Sequence, residues 1–268
     1  MVTTEADDEL LDFCKNPPLG WNITYLETAK STNSIAMELG CQGALANSIV
    51  IADMQSAGRG RLGKTWQSYA GCGLYLSIVL RPKVELEHLS RITLAAGVAL
   101  AQTTALFTQG KPMLKWPNDL YLQGRKCGGI LAESDIRNGK APLVILGMGV
   151  NLHTPAGGYD TDLRVKAASV NDFSTTVVTR TRFLQKLIPS VTEVMAELEA
   201  GGFQAILKWW RGYDYTLGRR LTWLTSAGKR IEGISTGIND DGLLFITDGE
   251  GQTHEVLSGD IQLALTSD

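Results

Sequence analysis

Two stretches hold most of the residues able to do chemistry. The first reads Gly58-Arg59-Gly60-Arg61-Leu62-Gly63-Lys64-Thr65. Backbone N–H groups can approach an anion closely where side chains are absent. Arginine adds planar, multi-donor recognition of phosphate or carboxylate. Two arginines set among glycines therefore suit a mobile loop that closes over an acyl phosphate or an adenylate. The loop also matches two general patterns letter for letter. Gly58, Gly63, Lys64 and Thr65 satisfy G-x-x-x-x-G-K-[ST], and Gly58, Gly60 and Gly63 satisfy G-x-G-x-x-G. Both patterns need a helix directly after the loop, because the phosphate rests on its N-terminus. The following residues, Trp66 to Gly73, include two glycines, Gly71 and Gly73, and show no helical period. Both matches are therefore read as coincidental. A flexible hairpin tip is the plain alternative for the loop taken alone.

The second stretch runs from Lys115-Trp116-Pro117-Asn118-Asp119 to Lys126-Cys127-Gly128-Gly129-Ile130-Leu131-Ala132-Glu133. If Lys126 opens a strand, its ammonium lies at the sheet end, and Gly128 and Gly129 leave space for a ligand against the backbone. A lysine placed there stabilises the charge that develops as a carboxylate attacks an α-phosphate. A hairpin with solvated Arg125 and Lys126 is the plain alternative.

Composition narrows the classes. The chain has 268 residues, 44% of them hydrophobic and 20% charged, enough for a sizeable core without disulfides or metals. A formal net charge of -3 gives no whole-protein attraction to nucleic acid. Cys14, Cys41, Cys72 and Cys127 form no CxxC pair, which favours free thiols in a reducing compartment, and a cytoplasmic location is expected. His88, His153 and His254 are not at ligand spacing, so no protein-built metal site is expected. The acidic start, MVTTEADDELLDF, is not a secretory or transit signal, and no apolar run reaches about 18 residues.

The elements that must position these residues follow from periodicity. Strands are predicted over 20–26, 48–52, 74–80, 113–116, 120–122, 127–133 and 143–150, with a turn at Asn138-Gly139. A helix from Ser34 to about Leu39 is capped by Ser31, Thr32 or Asn33. A long amphipathic helix spans about 86–107, and two more span 182–199 and 203–213. Beyond a boundary near Leu217, five short strands separated by glycine turns (220–224, 230–236, 243–247, 253–256 and 261–265) predict a small barrel.

Taken together, Ser31-Thr32-Asn33, Gln55, the loop from Gly58 to Trp66, Lys115-Trp116-Pro117-Asn118-Asp119, Lys126 with Gly128-Gly129-Ile130-Leu131, and Gly147-Met148-Gly149-Val150-Asn151-Leu152 closely resemble the biotin protein ligases. The resemblance implies an α+β fold: a mixed sheet with helices on one face, like the class II aminoacyl-tRNA synthetase core, over residues 1–216, and an SH3-like barrel over 217–268. It implies that Ser31, Thr32, Asn33, Gln55, Arg59, Gly60, Arg61, Lys126, Gly128 and Gly129 bind biotin. Arg59, Arg61, Trp66, Lys115, Asn118, Lys126 and Asn151 would bind ATP or the adenylate, and Lys126, Arg61 and Asp119 would be catalytic. Leu62, Lys64 and Ala167-Ala168-Ser169-Val170 depart from the family's usual residues.

The implied reaction consumes biotin and ATP, with Mg2+ held mainly by water and phosphate, and biotinylates a lysine of a biotin carboxyl carrier protein. The enzyme is expected as a monomer or homodimer without membrane or DNA partners. Only about twenty residues precede Ile23, which by resemblance implies the monofunctional type. The rivals are a lipoate ligase or octanoyltransferase of the same fold, a P-loop NTPase, and a non-catalytic biotin-sensing regulator. Ser31-Thr32-Asn33 and Gln55 favour biotin over lipoate. A missing helix after Lys64 counts against the second, and Lys126 counts against the third.

Overall fold

The computed structural model describes residues 4–136, 142–225, 228–256 and 260–263. The expected Asn138-Gly139 turn, Gly259 and the end of the last strand lie outside them. The larger sheet contains β1 (Asn22–Ala29), β2 (Ser48–Gln55), β3 (Gly73–Leu80), β4 (Met113–Lys115), β5 (Asp119–Leu122), β6 (Arg125–Asp135) and β7 (Leu143–Asn151). Its order is β1-β2-β3-β7-β6-β5-β4. β1 and β2 run parallel and the other neighbours antiparallel.

The central strands alternate between two buried faces. Ile49, Ile51, Leu74, Leu76 and Ile78 pack with α3 (Arg91–Ala105) and α4 (Arg180–Glu199). Val50, Val79 and Ile145 face the other way, against Ala36 of α2 (Thr32–Cys41). The expectation of helices on one face is thus corrected. Strand residues of alternate parity need cover on both sides, and α2 supplies it on the second face over β2, β3 and β7. The part of that face beyond its N-terminus is left open.

A further helix, α1 (Thr4–Lys15), was not anticipated. Leu10, Phe13 and Cys14 recur at helical spacing, and Leu10 is fully buried where α1 meets α4 and β1. The helix expected from Leu86 begins at Arg91 instead. Leu86 and Glu87 are exposed and form only an isolated turn, so nothing buries an earlier start. α5 (Phe203–Gly212) completes the helical layer.

The C-terminal strands β8 (Arg220–Leu224), β9 (Arg230–Ile238), β10 (Leu244–Asp248), β11 (Thr253–Val256) and β12 (Asp260–Leu263) form an SH3-like antiparallel sheet in the order β11-β10-β9-β8-β12. Leu221, Ile238, Leu244, Ile246, Val256 and Ile261 share one apolar cluster with α3 and α5. Gly242, at φ +84°, sits so close to α3 that a Cβ there would come within 2.5 Å of Leu94. Its carbonyl accepts a 2.9 Å hydrogen bond from the indole N–H of Trp116. Arg91 pairs with Asp241 at 3.5 Å and Arg211 with Asp240 at 2.8 Å.

Candidate active site

The floor of one cavity is the uncovered face of β3, β7 and β6. Gly147 pairs with Ser77 and Leu131, and Gly149 pairs with Gly129. These glycines are space for other side chains. A Cβ on Gly147 would lie 2.1 Å from Asn33 Oδ1, and one on Gly149 would lie 2.6 Å from the Trp66 ring.

A β-bulge decides how Lys126 meets this floor. Tyr121 pairs with Lys126 but Leu120 pairs with Gly128, so Cys127 is an extra residue on β6. The bulge changes the phase of the strand. Lys126 and Gly129 share the cavity side, with Lys126 Nζ 3.5 Å from where a Gly129 Cβ would be. Gly128 turns to the core, where its open side meets Leu100 and Leu120. Cys127 is fully buried, and burial pushes its thiol up, which keeps it neutral and unreactive.

One wall is the N-terminus of α2. Ser31 is the N-cap but makes no side-chain cap bond. The Thr32 N–H and hydroxyl both donate to Gln55 Oε1, at 2.8 and 3.1 Å. Gln55 lies at the end of β2, in register with Ala29 of β1, which brings it beside the helix start. The Asn33 amide donates to the Leu131 carbonyl at 3.2 Å and to Glu133 Oε2 at 2.7 Å, and its Oδ1 accepts from Ser77 at 2.5 Å. Ser77 Oγ also lies 2.8 Å from Thr32 Oγ1.

The glycine loop forms the roof. It is a small hairpin: Arg59 bridges Thr65, the Gly60 N–H donates to Lys64 O, and Arg61–Gly63 make a single 3-10 turn. Gly58 packs so tightly that a Cβ would lie 2.4 Å from the Trp66 carbonyl. Neither phosphate-loop pattern is realised, because Trp66–Gly71 form no helix before β3. Arg59 pairs with Glu133 Oε2 at 2.7 Å, and Arg61 donates to Asn118 Oδ1 at 3.4 Å.

Lys126 Nζ stands 2.7 Å from Asp119 Oδ1 and 5.4 Å from the centre of the Trp66 ring. Lys115, Asn118 and Asp119 line the same cavity, as does Ile261 of the C-terminal sheet. Asn151 is not among the lining residues there. It borders an adjoining cleft with Tyr159 and Leu163, and that cleft joins the first through Trp66, Lys115 and Lys126. The indole N–H of Trp66 is buried and meets no acceptor among the described residues. Arg59, Arg61, Lys115 and Lys126 thus line one cavity that has a glycine floor and a polar wall.

Comparison with known proteins decides what such a cavity belongs to. The model of the biotin/lipoate A/B protein ligase family matches residues 25–151, and that of the biotin protein ligase C terminal domain matches residues 216–264. The biotin–[acetyl-CoA-carboxylase] ligase of Mycobacterium tuberculosis is 31% identical over 258 residues, covering 90% of this chain and 89% of that protein. The enzyme of the same name from Paracoccus denitrificans is 31% identical over 230 residues, covering 85% of this chain and 95% of that one. This chain belongs to the biotin protein ligase family. The biotin protein ligase of Aquifex aeolicus in complex with biotin and ATP superposes with a TM-score of 0.77 at 27% identity, covering 91% of this chain and 99% of that one.

Of the residues expected in the site of this biotin protein ligase, the fold brings all but Gly128 and Asn151 to one cavity. Sequence reasoning missed Ser77, Glu133 and Ile261 as contributors. Ser77 had a signal: it is the one polar residue in the strand Leu74–Leu80. Two glycines at alternate positions, Gly147 and Gly149, likewise mark one open strand face. Glu133 and Ile261 had none, since each reaches the site only through tertiary pairing.

Proposed function

We propose that the ligase joins biotin to ATP in this cavity and passes the biotinyl group to a lysine of a carrier protein. The observation that carries the reading is the Lys126–Asp119 pair at 2.7 Å beside the glycine floor. In the first step a biotin carboxylate oxygen attacks the α-phosphorus of ATP. The bond from that phosphorus to the bridging oxygen breaks, and pyrophosphate leaves. Lys126, with Arg61 and Lys115, offsets the negative charge gathered at the reacting phosphate. In the second step a lysine amine attacks the anhydride carbonyl and AMP leaves. Asp119 is then placed to accept the amine's proton.

Ser31, Thr32, Asn33 and Gln55 form the wall for the biotin ring, with Gly129 beneath it and Arg59, Gly60 and Arg61 above. The indole N–H of Trp66 donates to an adenylate oxygen, and Asn118 and Asn151 take up the nucleotide, Asn151 from the adjoining cleft. Magnesium fits as an ion carried in on phosphate. Among the described residues no three His, Cys, Asp or Glu converge, and Asp119 is the carboxylate that would lend it an oxygen. When bound, it would neutralise phosphate charge.

We place the boundary between the catalytic part, 1–216, and the C-terminal part, 217–268, where Asp214 caps the turn into β8 through Thr216 and Leu217. No described helix is long and apolar enough to cross a membrane, and we infer that the enzyme works in the cytoplasm. Incubation with ATP, magnesium and either biotin or lipoate, followed by mass spectrometry, tests the reading. Biotinyl-AMP is expected. Lipoyl-AMP with no biotinyl-AMP would overturn it.

A further inference from the structure

The glycine loop is a hairpin built on the end of β2. Its stem is closed by the Trp66 N–H, which donates to the Gly58 carbonyl at 2.9 Å. The outgoing strand is firm, because the Ser56 and Ala57 N–H groups donate to the carbonyls of Ala29 and Lys30. The returning chain from Trp66 to Cys72 belongs to no strand. The ladder of β2 with β3 ends at the pair Ala52 and Tyr75, and Gln55 lies beyond it with an N–H and a C=O to satisfy. One hydroxyl takes both. The Gln55 N–H donates to Ser68 Oγ at 2.7 Å, and Ser68 Oγ donates to the Gln55 carbonyl at 2.9 Å. A serine side chain thus replaces a strand partner.

We propose that Ser68 is a positioning residue: it pins the returning chain to β2 and so keeps the Trp66 ring on the glycine floor while the tip of the roof moves. Its bearing on the nucleotide rests on the reading of Trp66 above. A single bond, Trp66 to Gly58, lets the returning chain swing about it. A second attachment at Ser68 fixes the direction of the chain, and a hydroxyl bonded both ways to one residue allows no slip. The ties further along use other anchors. The Tyr69 N–H donates to the Tyr75 phenol at 3.0 Å, that phenol donates to the Tyr69 carbonyl at 3.3 Å, and the Gly71 N–H donates to Asp53 Oδ1 at 2.8 Å. They seat the turn before β3 and leave the approach to Trp66 to Ser68. The ring needs this hold. It lies against Gly149, and its buried N–H meets no acceptor among the described residues, so it must stay aimed at an acceptor that a ligand brings. Gln55 itself does not depend on Ser68. β1 pairs with its backbone and the Thr32 N–H holds its side chain. Loss of the pin should therefore reach ATP and spare biotin.

The test compares the wild-type chain, Ser68→Ala and Ser68→Thr by three measurements. Hydrogen exchange of the unliganded chain is read by mass spectrometry, kcat/KM for ATP by adenylation at saturating biotin, and biotin affinity by calorimetry. In the wild type the amides of Gln55 and Trp66 should exchange slowly and those of the tip fast. Alanine removes the pin, so exchange at Gln55 and Trp66 should rise about tenfold or more. In the same variant kcat/KM for ATP should fall about tenfold, the worth of one buried hydrogen bond. Biotin affinity should stay within about twofold, which a general loss of structure would not allow. Threonine keeps the hydroxyl and should restore both exchange and kcat/KM. Wild-type exchange in Ser68→Ala, equal losses for ATP and biotin, or no recovery with threonine would overturn the pin. A wild-type chain that makes no biotinyl-AMP would overturn the parent reading and the role toward ATP, while the exchange data alone would still decide whether Ser68 holds the chain.

Discussion

Lys126 and Asp119 form a 2.7 Å ion pair across the β5–β6 hairpin, on the cavity side of a bulge at Cys127. Two residues seven apart in sequence, one proposed to meet the phosphate and one the incoming amine, are thereby held as a unit. Lys126→Ala should cut biotinyl-AMP synthesis by a factor of about 100–1,000, corresponding to one lost charge-stabilising donor at roughly 2.7–4 kcal/mol. Single-turnover adenylation at saturating biotin and ATP measures this, with circular dichroism to show that the fold persists. A rate within a few-fold of wild type would remove Lys126 from the mechanism.

The Arg61–Asn118 contact ties the glycine loop to the side of the cavity proposed to hold the adenylate. Arg61→Gly should make biotinyl-AMP more slowly, with Lys126 and Lys115 still in place, and let what is made escape early. Free adenylate then acylates lysines on any nearby protein. Blotting an unrelated lysine-rich protein for biotin, beside the carrier, reads this out. Bystander labelling at the wild-type level with normal carrier labelling would show that Arg61 does not retain the intermediate.

Gly149→Ala puts a methyl group 2.6–2.9 Å from three atoms of the Trp66 indole. The ring must lift from the floor, and it carries the roof and the Lys126 contact with it. Overpacking of this kind costs about 1–3 kcal/mol. A lowered melting temperature together with a larger loss of adenylation than of biotin binding is expected. Unchanged kinetics would mean that the indole is free to shift without consequence.

Asp214 predicts a pH dependence of stability. Its carboxyl is buried, and desolvation, the largest cause, raises its pKa above the ordinary 3.8 despite hydrogen bonds from Thr216 and Leu217 that lower it. A carboxyl with a raised folded-state pKa favours the folded state most when protonated. That contribution is complete below the unfolded value of about 3.8 and is lost as pH rises through the folded value. Asp214→Asn keeps the Oδ1 acceptor for those bonds and removes the charge. Relative to wild type, the variant should therefore gain stability between pH 4 and pH 7. Thermal melts of both proteins at the two pH values measure this, and a difference that is flat or of opposite sign would count against the burial argument.

Much of the candidate site was legible in one dimension because it depends on residue type. Arginine between glycines signals anion binding, and a lysine at a strand start before two glycines signals space beside a charge. The failure of the phosphate-loop patterns was equally readable, from the lack of a helical period after Thr65. The strands and the SH3-like C-terminal sheet followed from alternation and glycine turns, since period-2 patterning and backbone freedom act locally. What a sequence cannot carry is phase and neighbourhood. The bulge at Cys127 exchanges which of Gly128 and Gly129 faces the cavity, because one inserted residue inverts a period of two. α2 lies on the opposite face from the other helices because Val50, Val79 and Ile145 need cover there, a demand visible only once three strands are side by side. Glu133 meets Asn33 and Arg59, respectively 100 and 74 residues away, through the pairing of β6 with β7 and the fold of the loop. Type was decided by the chain; which atoms meet was decided by packing, whose forces act between residues that the chain leaves far apart.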